Sequence, residues 1–218
     1  MFKKTTEEKV LRDPVHGYIH VDLQVVWDVI NSSWFQRLRR IRQLGGAYVV
    51  YHCAEHSRFG HYLGVYELVR RMVSEVQDIS NALNEREKVT AMLAGLLHDI
   101  GHGPYSHAFE GVTKTSHEEF TCRIIEENTE ITRILEDCCE GLSKDVADVI
   151  RHESSNPLLS QLISSQLDAD RFDYLLRDAY FTGTKYGEYD LERILRTMRV
   201  HDGKQLVIKE SGVYAVEN

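Results

Sequence analysis

The chain has 218 residues and a mass of 25.2 kDa, with 42% hydrophobic and 28% charged residues, the balance of a globular protein rather than a disordered one. Its net charge of -8 argues against a general nucleic-acid binder, which needs a basic face to neutralise phosphates. No apolar run is long enough to span a bilayer, the first residues lack a signal-peptide hydrophobic stretch, and the four cysteines show no CxxC spacing, so a soluble protein of the reducing cytoplasm is expected, with the cysteines as packing residues.

In chain order, Val10 to Val21 reads as a short hairpin, with Asp13-Pro14 and His16-Gly17 as turn residues. Val26, Val29 and Ile30 mark a helical turn. Ser33 with Gln36 three residues on is a capping-box pattern, predicting a helix through Phe35, Leu38, Ile41 and Leu44 that stops at Gly45-Gly46. Tyr48 to Tyr51 is expected to be briefly extended. From His61, the spacing of Leu63, Leu68, Val69, Met72, Val73 and Val76 predicts a helix of about four turns, and Val89, Met92, Leu93, Leu96 and Leu97 predict a buried helix over Glu85 to Asp99.

Helices are expected near 117–127, 130–138 and 143–152. A single long one follows from Leu158 to Tyr180, with Leu159, Leu162, Ile163, Leu167, Phe172, Leu175, Leu176 and Ala179 on its core face. Asp190 to Met198 is a further short helix, and Arg199 to Ile208 a second hairpin turning at Asp202-Gly203. The apolar run Val213 to Asn218 carries no helix stop signal and reads as an interrupted chain. The expected fold class is all-α with small peripheral β-hairpins, without internal repeats or linkers.

Chemistry concentrates in His98-Asp99-Ile100-Gly101-His102-Gly103-Pro104-Tyr105-Ser106-His107, where three imidazoles and a carboxylate stand at the end of a buried helix. Imidazole nitrogen and carboxylate oxygen are ligands that first-row divalent ions share, and histidine titrates nearest neutrality, so a metal and proton-transfer site is expected; the plainer alternative is a solvated helix end. His98 and Asp99 do not share a helix face, so further ligands must come from elsewhere. His61 and Asp170 are polar residues at unusual positions in otherwise apolar helices, and with His98 and Asp99 they complete a two-histidine, two-aspartate set.

At this point the sequence resembles the HD-domain phosphohydrolases, and within them the deoxynucleoside triphosphate triphosphohydrolase branch. The resemblance runs from Asp13-Pro14-Val15-His16-Gly17 through Gln36-Arg37-Leu38-Arg39, Gln43-Leu44-Gly45-Gly46, Arg58-Phe59-Gly60-His61 and the His98 to His107 block to Asp170 through Asp178. It implies an HD-domain helical core over 1–218, corresponding to the N-terminal catalytic half of longer relatives. It also implies one divalent metal ion (Mn, Fe, Zn, Mg or Ni) on His61, His98, Asp99 and Asp170. His102, His107 and His117 would face a triphosphate, His107 donating a proton to the leaving 5′ oxygen.

The same resemblance places Arg58 and Arg171 on phosphates, Tyr174 under the deoxyribose, and Asp178 with Gln43 on the 3′ hydroxyl. Gln36 and Arg39 match residues that bind a GTP or dGTP effector at the interface of homo-oligomers, dimers or tetramers. Three departures stand out: Arg171 replaces a frequent lysine, and Asn31 and Arg12 replace an aspartate and an asparagine of the effector site.

Each assignment has a plainer counterpart. Asp168 and Asp173 read as surface or structural carboxylates, Tyr174 as core packing, His117 as an ordinary helix start, Gln36 as the Ser33 capping partner, and Arg58 and Arg171 as salt-bridge residues. Two functional rivals follow. One is another HD phosphohydrolase, cleaving nucleoside monophosphates, pyrophosphates or a signalling nucleotide. The other is a non-catalytic nucleotide or single-stranded nucleic-acid module using Arg37, Arg39, Arg40 and Arg42, which otherwise form a solvated helix face.

Overall fold

In the computed structural model, which describes residues 1–215, the expected architecture holds: an all-α core with two small hairpins at its edge. Strands β1 (Lys4–Asp13) and β2 (Gly17–Leu23) pair antiparallel, closing at Asp13 opposite Gly17, whose φ of +77° suits a glycine. β1 starts earlier than the apolar pattern indicated, because its first residues are mostly exposed and leave no alternation to read.

Helices α1 (Gln24–Asn31) and α2 (Ser33–Gln36) follow. The helix expected to run on to Leu44 stops instead at Gln36 and tightens into a 3-10 turn over Arg37–Arg40. The cap is Ser32, whose Oγ accepts from the Phe35 amide at 3.2 Å; Ser33 donates to Glu130, and Gln36 Nε2 donates to the Ile30 carbonyl at 2.7 Å, so there is no Ser33–Gln36 capping box. Tyr48 to Tyr51 is not extended either, since Ala47–Val49 forms another 3-10 turn.

The centre is built from α3 (Arg58–Glu75), α4 (Gln77–Ala82) and α5 (Glu85–Leu97), with α3 packed on α5. Asn84 and Glu87 form a reciprocal capping box on α5, and Val89, Leu93, Leu96, Leu97 and Ile100 are buried, as the spacing required. Then come α6 (His107–Thr113), α7 (His117–Glu126), α8 (Glu130–Cys138) and α9 (Leu142–Ile150).

The long helix expected over Leu158 to Tyr180 is two, α10 (Pro157–Ile163) and α11 (Ala169–Thr182). Asp168 divides them: its carboxylate accepts from the Arg171 and Ser165 amides, both at 2.6 Å, which caps α11 and ties down the linker. Leu175 and Leu176 are only half-buried, unlike Phe172 and Ala179, so the apolar face is narrower than expected. α11 packs against α3.

The last elements are α12 (Leu191–Thr197), the hairpin β3 (Met198–His201) and β4 (Gln205–Ile208), and α13 (Glu210–Val213). The apolar run starting at Val213 extends into residues 216–218, outside the described residues. No helix among the described residues is long and apolar enough to cross a membrane. Cys122 is buried as expected of a packing residue, whereas Cys53 is exposed.

Candidate metal centre and histidine cleft

Three helix ends meet at one point. His61 lies in the first turn of α3, His98 caps the C-terminus of α5, and Asp170 sits in the first turn of α11. The partial negative charge at the end of α5 favours a cation beside His98, and the start of α11 favours the Asp170 carboxylate. His61 Nε2 and His98 Nε2 stand 3.0 and 3.5 Å from Asp170 Oδ1, and one ligand atom from each of the three residues lies within 4.8 Å of the others.

The second nitrogen of each imidazole is already engaged. His61 Nδ1 donates to Asp173 at 2.7 Å, and His98 Nδ1 donates to the Gly95 carbonyl at 2.9 Å, so in each neutral ring, the form that binds a metal, Nε2 carries the lone pair. His98 Nε2 is buried and has no hydrogen-bond partner. Donors around a first-row ion at ~2.0–2.1 Å sit roughly 3 to 3.4 Å apart, close to the separations found. A divalent ion therefore fits the set and would satisfy the orphaned nitrogen.

Electrostatics point the same way. Burial disfavours the His61 cation, yet Asp170 and Asp173 outweigh it and push His61 up to about 9. Burial likewise opposes ionisation of Asp170, but His61 and His98 hold it below the usual carboxylate range. The pocket favours positive charge between its carboxylates, which an ion would supply.

Asp99 stands one step aside. Its carboxylate lies 3.8 Å from His98 Nε2, while its two oxygens are 3.2 Å from His102 Nε2 and 3.3 Å from His117 Nε2. Thus three of the four expected ligands gather tightly, and the fourth bridges toward a second cluster made of His102, His107 and His117. The His102 and His117 rings stack, and the His107 ring meets both edge-on.

Glu110 binds two of the trio from behind, accepting from His107 Nδ1 at 2.9 Å and from His117 Nδ1 and its amide. Burial raises the Glu110 carboxyl, but His107 and His117 outweigh that and bring it down to about 2. Gly101 explains how α7 comes so close: a Cβ there would sit 2.2 Å from the His117 carbonyl oxygen and 2.4 Å from the Thr121 nitrogen. The cleft holds a cavity of about 260 Å³ lined by His98, Asp99, His107, His117 and Asp170, and also by His152. His152 escaped the sequence analysis, as did Asp173 in its contact with His61.

The remaining candidates are placed as follows. Arg58 is buried and tied to Ser106 Oγ at 2.7 Å, Tyr62 at 3.1 Å and Asp99 at 3.4 Å, so it is an internal residue and not a surface salt bridge. Ser106 and the preceding Tyr105 take φ of +50° and +63°, strain of the kind concentrated at functional sites. On α11, Arg171 is exposed, Tyr174 half-buried, and Asp178 buried with His56 Nε2 at 2.7 Å. Gln43 donates its amide to the His56 carbonyl, and its buried Oε1 has no partner, so Gln43 and Asp178 both adjoin His56.

Gln36 and Arg39 bind each other at 2.8 Å, and the Arg39 guanidinium lies 3.6 Å from the Phe59 ring centroid. Arg37 turns inward, donating to the carbonyls of His102 and Ile100, so the arginine run is neither one free basic face nor a wholly solvated one. Asp168 and Asp173 are structural rather than surface carboxylates.

YwfO of Bacillus subtilis, named as uncharacterised, is 53% identical over 215 residues, covering 99% of this chain and 49% of that protein. The human protein named deoxynucleoside triphosphate triphosphohydrolase SAMHD1 is 31% identical over 227 residues, covering 88% of this chain and 36% of that protein. A crystal structure of a phosphohydrolase from Bacteroides thetaiotaomicron superposes with a TM-score of 0.85 at 36% identity, covering 96% of this chain and 51% of that one. The chain thus spans about half the length of YwfO and less of the human protein. The family model described as HD domain matches residues 58–178, from Arg58 through the His98-Asp99 pair to Asp178, and on that match the chain belongs to the HD-domain family.

Proposed function

We propose that this chain is the catalytic domain of a metal-dependent phosphohydrolase that cleaves deoxynucleoside triphosphates into deoxynucleoside and tripolyphosphate. The observation that carries the reading is the pairing of a set of two buried histidines and one half-buried aspartate with a three-histidine cleft through the single carboxylate of Asp99. The likeness to a protein named as a dNTP triphosphohydrolase supports the substrate class.

His61, His98, Asp99 and Asp170 would hold the divalent ion, which when bound polarises a phosphoryl oxygen and makes water more acidic. The chain's own residues do the rest. His117, which Asp99 and Glu110 push up to about 9 against its burial, is cationic at neutral pH and pairs with phosphate oxygens. His102 is driven down by burial and stays neutral, a donor or acceptor without charge. Water attacks the α-phosphorus, and His107 gives a proton to the departing 5′ oxygen. Its Nδ1 is held by Glu110, which leaves Nε2 for that transfer.

Tyr174, Asp178, Gln43, Arg58 and Arg171 complete the substrate contacts in this reading. An effector on Gln36 and Arg39, and assembly into dimers or tetramers, belong to it as well. Incubation with each dNTP and Mn²⁺, with and without GTP or dGTP, followed by phosphorus NMR, tests it: tripolyphosphate is expected. Orthophosphate or pyrophosphate as first product would overturn cleavage at the α-phosphorus, and binding of oligonucleotides without turnover would favour a non-catalytic module.

A further inference from the structure

A chain of buried charges runs from the turn of the N-terminal hairpin to the back of His61. Its hub is Asp173, which is fully buried and has both oxygens saturated. Oδ1 accepts from His16 Nε2 at 2.6 Å and Arg177 Nη2 at 2.8 Å; Oδ2 accepts from His61 Nδ1 at 2.7 Å and Arg177 Nε at 2.8 Å. Arg177 continues to Asp13, reaching Oδ2 at 2.9 Å and Oδ1 at 3.3 Å. Asp13 in turn accepts the Val15 and His16 amides at 2.9 Å, so the turn between β1 and β2 is folded around the carboxylate that receives Arg177.

Helix α3 is shaped to admit this chain. A Cβ on Gly64 would lie 1.8 Å from Asp173 Oδ1 and 2.5 Å from Arg177 Nη2, and one on Gly60 would lie 3.4 Å from Arg177 Nη1. Gly60 and Gly64 are four residues apart on one face of the helix that carries His61, so the guanidinium and carboxylate press directly against its backbone.

We propose that Asp173, clamped by Arg177, Asp13 and His16, is a positioning residue for the metal ligand His61, making the turn of the N-terminal hairpin part of the metal centre. Two physical arguments favour this over a plain stabilising brace. Buried ion pairs are weak stabilisers, since apolar replacements of similar volume are often as good, so stability alone does not account for this one. The geometry is also directed: a carboxylate shared by one guanidinium and the His16 imidazole lies directly behind the imidazole whose other nitrogen faces Asp170. A carboxylate in that place fixes the tautomer with Nε2 unprotonated, fixes the ring plane and strengthens nitrogen as a ligand.

The inference rests on His61 being a ligand, and the experiment separates the two claims. Mn²⁺ and Co²⁺ affinities are measured on the 218-residue protein by competition with a chelating dye at neutral pH, alongside the Co²⁺ visible spectrum and circular dichroism. Unchanged affinity in His61→Ala would remove the ligand reading itself. With that reading intact, Asp173→Asn is expected to lower affinity about 10- to 100-fold, the usual effect of losing the partner of a ligating histidine, and to shift the Co²⁺ bands. Asp13→Asn, at the far end of the chain, lowers it about 10-fold. Wild-type affinity in either variant while folded overturns the proposal, and so does failure of both to fold, which would mark the chain as a structural brace.

Discussion

The rings of His102 and His117 stack with centroids 3.8 Å apart and planes within 11°, yet their surroundings drive their protonation in opposite directions. Burial holds His102 below the usual imidazole value; His117 is also opposed by burial, but Asp99 and Glu110 prevail and take it to about 9. Two like residues in contact thereby acquire different charges at neutral pH.

A pH signature follows. His117 titrates higher in the folded chain than in the unfolded one, so its contribution to stability is complete below about 6.5 and is lost as pH rises through about 9. In chelator, the thermal midpoint should fall across that window. His117→Gln should remove part of the fall, and His61, also raised to about 9, accounts for another part. Melting curves at half-unit pH steps check this; an unchanged slope in the variant would contradict it.

Metal retention and turnover should separate by residue. Asp170→Ala is expected to lose ion and activity together, because Asp170 Oδ1 lies nearest both Nε2 atoms. His107→Ala should keep its ion and lose about 10²- to 10⁴-fold in turnover, the range for a missing proton donor. Elemental analysis of both purified variants beside phosphorus NMR decides; equal ion loss would contradict the assigned roles.

Gly101→Ala tests the approach of α7. The added methyl would meet backbone atoms at 2.2 and 2.4 Å, which cannot rotate away. Destabilisation of about 1–3 kcal/mol in urea titrations is expected, with His117 displaced. Turnover should drop while the ion stays bound.

His152 offers a gain of stability. It holds φ of +61° after α9 while lining the cavity beside His98 and Asp99, a conformation that glycine adopts without strain. His152→Gly should stabilise the fold by up to about 1 kcal/mol and raise KM for a dNTP with little change in kcat. Unaltered KM would remove His152 from the substrate contacts.

Much of the centre is legible in the sequence because its chemistry is dense. His98, Asp99, His102 and His107 fall within ten residues, and His61 and Asp170 interrupt apolar patterns. What was not legible depends on distant partners. The helix after Ser32 ends early where Gln36 reaches back to Ile30 and Arg37 is drawn to the His102 carbonyl, neither of which helical periodicity can register. The break before α11 turns on Asp168 choosing the backbone of Ser165 and Arg171. Asp173 looks like any polar residue on a helix until Arg177 and His16 are seen against it.

His98 and Asp99 are consecutive residues, one facing the ion-binding set and the other the histidine cleft. Neighbouring Cα atoms are about 3.8 Å apart across a trans peptide, so the two halves of the centre are joined by a covalent link that side-chain packing does not set. Displacement of the end of α5 therefore moves His98 and Asp99 together, while His61 and Asp170 on one side and His107 and His117 on the other are carried by separate helices.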